Sequence, residues 1–333
     1  MTEADRASRI LVMVDASNFE YTCVFSAVDK WRKAHFEEYE RTVAPTAWET
    51  DQDDLPELLN IDSFRRTLRF AVQDRLELIR SVVSTNHMED VERATAVDTF
   101  FALDGDLSKN FRKRLYPDYK GQREKERKKF NVKTAKAYVQ DVLFKELGLE
   151  SALGYKMVRV DGCESDDIIA TLATRYPGYM AKILFSSDGD FLQLDGVSQY
   201  NCWGKRIERK PFDEGGEPMS AKDYLLWKVL KGDCSDNIRN VFHRVGEKKS
   251  WMLVNDKPTL KRMLKEDNGA AERFMLNATL IDFRRIPQDC IERITKAIDA
   301  KMDEVQRETD FSLDNCLVTS TTQRLKTVEI EGR

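Results

Sequence analysis

The 333-residue sequence predicts an α/β fold: a central, mostly parallel twisted sheet with helices on both faces, followed by a smaller helical region. Two observations carry that prediction. Apolar, strand-like runs alternate with stretches of helical period, the order expected when helices cross between parallel strands. Four of the runs also end in a carboxylate, and ligands of open α/β sheets bind outside the carboxyl ends of the strands.

The first strand is Ile10-Leu-Val-Met-Val-Asp15. A polar, acidic stretch from Glu37 to Asp62, with Pro45 and Pro56, reads as an irregular insertion. Phe64, Leu68, Ala71/Val72, Leu76, Ile79 and Val83 then recur at helical spacing over 61–84. The second strand, 98–104, closes on Phe100-Phe-Ala-Leu-Asp104, and a helix over 132–147 stops at Gly148. Strand, helix and strand follow at 156–160, 166–176 and 182–187, with a further strand at Val197 to Trp203. Gly and Pro residues from Pro211 to Pro218 mark a boundary, and Ser220-Ala-Lys-Asp223 has capping-box character ahead of an apolar helix. Helical patterns continue to about Val305, with Ile291, Ile294, Ala297/Ile298 and Met302 on one face. This divides the chain into a core over 1–210, a helical region over 219–306 and a tail over 307–333.

Composition excludes several classes. At 41% hydrophobic and 34% charged the chain is globular, and no apolar run approaches the roughly 20 residues a membrane helix needs. The start carries mixed charge before a short apolar run, too little for a signal-peptide core, so the expected location is cytoplasmic. The six cysteines form no CxxC, the three histidines stand alone, and Gln199 occupies the place of a P-loop's first glycine before Gly204-Lys205. The net charge of −4 conceals an asymmetry: Lys109 to Lys136 holds twelve Lys or Arg against three acids. Phe111, Tyr116, Tyr119 and Phe130 interleave with that charge, the mixture that binds single-stranded nucleic acid through phosphates and base stacking.

The acids at the strand ends are Asp15, Asp104, the Glu164/Asp166/Asp167 group behind Asp161, and Asp188 with Asp190. Each has an ordinary alternative as a helix cap or a turn residue. Together they would repel at close range unless cations neutralise them. Oxygen ligands without Cys or His select Mg²⁺, with Mn²⁺ substituting, and two such ions about 4 Å apart suit phosphodiester cleavage. A nearby Lys or Arg would balance charge on the scissile phosphate.

In order along the chain, Asp15, Asp104, Phe111-Arg112, Tyr116-Pro-Asp-Tyr-Lys120-Gly-Gln-Arg123, Gly162-Cys-Glu-Ser-Asp-Asp167, Ser187-Asp-Gly-Asp190 and Lys231-Gly-Asp-Cys-Ser-Asp-Asn-Ile238 resemble the motifs of the 5′ nuclease family. That family comprises flap endonucleases, the 5′-nuclease domains of bacterial DNA polymerases and phage 5′→3′ exonucleases. The segments Lys228 to Asp233 and Asn277 to Pro287 look most like its T-even phage RNase H branch. The resemblance implies a PIN-like core, a helical arch at about 107–136 and a helix–three-turn–helix-like motif at about 226–256. It implies a first metal site at Asp15, Asp104, Glu164 and Asp166 with Asp167 nearby, and a second at Asp188, Asp190, Asp233 and Asp236. Lys120 and Arg123 would act on the scissile phosphate, while Arg112, Lys113, Arg114, Tyr119, Lys248 and Lys249 would bind nucleic acid. Where the family has a first glycine in its duplex-gripping hairpin this chain has Arg244, so an altered turn is expected.

The activity so implied is a metal-dependent 5′→3′ exonuclease and flap endonuclease, acting as a monomer on DNA and on RNA in RNA–DNA hybrids, removing primers and flaps in replication. Single-strand-binding protein or a sliding clamp would be its partners. A haloacid-dehalogenase-type phosphatase is a weaker alternative, because its DxD motif needs an acid where Ser17 stands. A nucleic-acid-binding protein with a dormant site is the non-enzymatic one.

Overall fold

The structure, a computed structural model, describes residues 3–37, 58–121, 133–209 and 217–306. Most of the insertion at 37–62, the middle of the basic segment with Arg123, and the tail from 307 lie outside the described residues.

Six strands form one sheet in the order β3, β2, β1, β4, β5, β6. β1 (Arg9–Asp15), β2 (Ala96–Asp104), β3 (Lys156–Val160), β4 (Ala181–Phe185) and β5 (Ser198–Tyr200) run parallel, and β6 (Arg206–Ile207) returns antiparallel. β1 lies between β2 and β4, so the strand order reverses there and leaves a crevice at the carboxyl ends. Ile10, Val12 and Val14 face one layer while Leu11 and Met13 face the other. A strand covered on both sides needs no polar alternation, which is why this run is continuous.

Besides short helices at Glu3–Arg6 and Met88–Arg93, the described helices are α1 (Ala16–Ala34), α2 (Asp62–Asn86), α3 (Phe111–Leu115), α4 (133–146), α5 (Ser165–Arg175), α6 (Ala221–Lys231), α7 (Glu247–Asn255), α8 (Lys257–Glu266), α9 (Ala270–Ile281) and α10 (Gln288–Gln306). α4 contains a π-helical turn over Val139–Leu143 and closes at Gly148, whose φ is +64°. One layer packs Phe19 and Trp31 of α1, Phe64 and Leu68 of α2 and Val139 of α4 on the sheet. The opposite layer packs Ile168, Ile169 and Leu172 of α5 with Ile294 and Ile298 of α10. The apolar face expected on α10 therefore exists, but it joins the sheet core, whereas α6 to α9 bury clusters of their own.

Two further features differ from expectation. Only Ser198–Tyr200 of the anticipated strand at 197–203 pairs, because Asn201 accepts the Trp203 and Lys205 amides through its side chain and Gly204, at φ +79°, turns the chain into β6. Arg244 stands at φ +58°, so the hairpin keeps a left-handed residue despite lacking the glycine. That conformation costs an L-residue about 1–2 kcal/mol.

Candidate active site

β1 ends at Asp15, which caps α1 by accepting the Asn18 amide at 3.2 Å and also accepts from Ser186 Oγ at 2.9 Å. β2 ends at Asp104, held by Ser17 Oγ at 3.0 Å and by the amide of Ser165 at 2.9 Å. The following Gly105 sits so close to β3 that a Cβ there would lie 2.1 Å from the Val160 carbonyl oxygen. Asp166 lies in the first turn of α5, and Asp188 heads the 3₁₀ turn after β4 with its side chain on the Asp190 amide at 2.8 Å. Gln199 Nε2 donates to the Ser186 and Asp188 carbonyls, which fixes that turn against β5.

These four carboxylates feel one another. Burial, then Asp104 and Asp188, pushes Asp15 up to about 6. Burial likewise raises Asp166 well above the carboxylate range, with Asp188 and Asp15 adding to it against the pull of Lys120. Among the described residues none of the four has a salt-bridge partner, and no three acidic, His or Cys side chains are grouped closely enough to hold a metal ion between them. The donor set fits an oxygen-preferring cation such as Mg²⁺, which keeps several waters and needs only one or two carboxylates.

The other expected ligands are neutralised from within. Glu164 and Asp167 bracket Arg112, whose guanidinium is 3.2 Å from Glu164 Oε2 and 2.8 Å from Asp167 Oδ1. Lys120 Nζ lies 2.5 Å from Glu164 Oε1, and the Tyr119 hydroxyl lies 3.0 Å from both Glu164 and Asp236, which share its one proton. Burial would raise Glu164, but Lys120 and Arg112 hold it below the usual range. Asp190 and Asp233 share Lys228, which is 3.0 Å from Asp233 Oδ2. Burial opposes ionisation of Asp233, yet Lys228 and Ser235 bring it down to about 2. Asp233 reaches Lys228 because Gly232, at φ +69°, lets the chain fold back onto Ile238.

The expected nucleic-acid residues therefore separate. Arg112 is 3% exposed and Tyr119 4%, so neither offers a surface to phosphate or base, and Phe111 is core as well. At these three positions the aromatic and basic side chains serve internal pairing and packing, a correction to their reading as part of a stacking platform, while Phe130 lies outside the described residues. Lys113, Arg114, Lys248 and Lys249 are exposed, and Lys120 is partly exposed at φ +56°, with its amide on the Asp236 carbonyl.

Residues 70–214 match the family model described as the N-terminal, resolvase-like domain of 5′-3′ exonuclease. Over those residues the chain is similar to the 5′ nuclease domains. The 5′ nuclease match opens inside α2, so β1 and Asp15 precede it. DNA polymerase I of Chloroflexus aurantiacus is 30% identical over 189 residues, 53% of this chain and 19% of that protein. DNA polymerase I of Treponema pallidum is 40% identical over 169 residues, 47% of this chain and 15% of the polymerase. The 5′-3′ exonuclease of Aquifex aeolicus is 32% identical over 165 residues, 47% of this chain and 52% of that one. The chain thus spans about half the length of that exonuclease and under a fifth of the polymerases. The bacteriophage T5 D15 flap endonuclease, solved as a pseudo-enzyme-product complex with DNA and metal ions, shares the fold at a TM-score of 0.53 and 16% identity, covering 89% of this chain and 100% of the T5 chain. The T5 D15 protein co-crystallised with metal ions gives the same TM-score at 17% identity.

Beside these four carboxylates lies a network that no motif marks. Lys136 on α4 donates to Ser17 Oγ at 2.7 Å, and Ser17 in turn donates to Asp104. Gln140, in the π-turn, donates to Glu20 Oε1 at 2.6 Å, and burial raises Glu20 to about 8 against the attraction of Lys136. The only sequence signal was a lone Glu among apolar positions of α1. A group raised in the fold contributes stability that is complete below its unfolded value and is lost as pH rises through its folded one, here between 4.5 and about 8. Glu20→Gln is therefore expected to match wild-type stability to urea at pH 4 and to exceed it at pH 9, by on the order of a few kcal/mol. Equal midpoints at pH 9 would contradict a buried neutral Glu20.

Proposed function

We propose that the chain is a divalent-cation-dependent 5′→3′ exonuclease and flap endonuclease, cleaving DNA and the RNA of RNA–DNA hybrids. The observation that carries this is the set of four carboxylates, Asp15, Asp104, Asp166 and Asp188, which influence one another at the switch point and have no salt bridge among the described residues. Mg²⁺ is the cation this set suits, with Mn²⁺ as a substitute. When bound it would activate water and stabilise charge on the phosphate.

The protein's own groups supply the rest. Ser17, Ser186 and the Asn18 and Ser165 amides fix the carboxylate orientations. Lys120, poised on Glu164 beside Asp166, is placed to balance charge on a phosphate that enters. Lys113 and Arg114 would meet the single-stranded 5′ end, and Lys248 and Lys249 in the first turn of α7 would meet duplex phosphates. Residues 219–306 would form the duplex-binding region, with the arch over 107–136 closing on the strand. Removal of primers and flaps in the replicating cytoplasm, as a monomer, follows as the biological reading.

A 5′-labelled flap, a nicked duplex and an RNA–DNA hybrid, each incubated with Mg²⁺, Mn²⁺ or EDTA, test it. Cleavage from the 5′ side in either cation and none in EDTA is expected. Undiminished cleavage in EDTA would remove the cation from the reaction, and flap binding without cleavage in any cation would favour a non-catalytic binder.

A further inference from the structure

The carboxylates of the site fall into two groups that differ in one respect. Among the described residues Asp15, Asp104, Asp166 and Asp188 accept hydrogen bonds from hydroxyls and amides and have no salt bridge, whereas Asp190 and Asp233 close on one ammonium, that of Lys228. Lys228 is 6% exposed, so its charge is inside the protein and not a surface ornament. It is also fixed in place. One turn earlier on α6 Tyr224 donates to the Gly189 carbonyl at 2.9 Å, so residues 224 and 228 grip the same Asp188–Asp190 turn. On the other side Gly232 permits the reversal that returns Asp233, since a Cβ there would lie 2.4 Å from the Ile238 carbonyl oxygen. An ammonium so held neutralises about what half a divalent ion would, and a cation entering between Asp190 and Asp233 must expel it.

We propose that Lys228 stands in the place of a second cation, so that the chain binds one divalent ion tightly and a second only by displacing this lysine. Two half-buried carboxylates facing each other are stabilised as anions by a counter-charge, and a built-in ammonium provides it at all times. The inference rests on the preceding reading of the four-carboxylate group as a cation site, and it sharpens that reading by making the two positions unequal. Lys228 is then a positioning residue: it keeps Asp190 and Asp233 charged and oriented until substrate and a second ion arrive together.

Titration of the full chain with Mn²⁺, with free ion followed by electron paramagnetic resonance, tests this without any cleavage assay. The wild type is expected to take up one tight equivalent, and a second at least about tenfold weaker. Lys228→Met should tighten the second by about tenfold or more, while Lys228→Arg, which keeps the charge, should leave the wild-type pattern. Two wild-type equivalents of equal affinity, or a second equivalent indifferent to Lys228→Met, would overturn the proposal. Should the Met variant not fold, the wild-type isotherm still decides. Asp188→Asn separates the two readings: loss of the tight equivalent supports the four-carboxylate site, and its survival sinks that site independently of Lys228.

Discussion

Asp188→Asn is expected to bind a 5′ flap as the wild type does and to cleave it more slowly by about 10²- to 10³-fold or more, the scale on which removal of one electrostatic group at a reacting centre acts. The substitution is nearly isosteric. It keeps an oxygen to accept the Asp190 amide, so the 3₁₀ turn and its ties to Gln199 and Tyr224 survive. What it removes is one negative charge from a group of four that has no salt bridge among the described residues. With that repulsion relieved, the variant should be as stable as wild type in EDTA. Single-turnover cleavage and a parallel binding isotherm separate the two effects. Wild-type turnover by the variant would contradict the assignment of Asp188.

Arg112→Ala is expected to lower stability by about 3–5 kcal/mol, the cost of breaking a buried pair and leaving the partner charges uncompensated. The Arg112 guanidinium pairs with Glu164 and Asp167 and donates through Nε to the Leu280 carbonyl at 2.9 Å. One side chain thereby ties the start of the basic segment, the head of α5 and the end of α9. Its loss should also remove part of what keeps Glu164 ionised, so Glu164 binds a proton more readily in the variant and the deficit relative to wild type should narrow as pH falls. Urea denaturation at pH 7 and pH 5 measures both effects. An Arg112→Ala chain with the wild-type midpoint but weakened DNA affinity would restore Arg112 to the nucleic-acid surface.

The sheet and the four strand-end acids were legible in the sequence because both are written locally. A strand covered on both faces must be a continuous apolar run, and a carboxylate at its end needs no distant partner to be noticed. The helical period at Phe64, Leu68, Leu76 and Ile79 was legible for the same reason, and these residues are core in α2. Arg112, Tyr119 and Lys228 were not legible as internal neutralisers, since each meets acids far along the chain and nothing in a basic, aromatic run says whether it faces water. The same limit applies to α10, whose apolar stripe announces burial but not the surface that covers it. Arg244 shows a third case: residue type argued for a changed turn, yet the surrounding chain holds the left-handed conformation and accepts its cost.

Anomalous diffraction from crystals grown in Mn²⁺ locates the cation without reference to any substrate. The expected result is a strong peak among Asp15, Asp104, Asp166 and Asp188, at the carboxyl ends of β1, β2 and β4. Mn²⁺ found elsewhere, with those four carboxylates bearing no ion, would contradict the cation-dependent nuclease site.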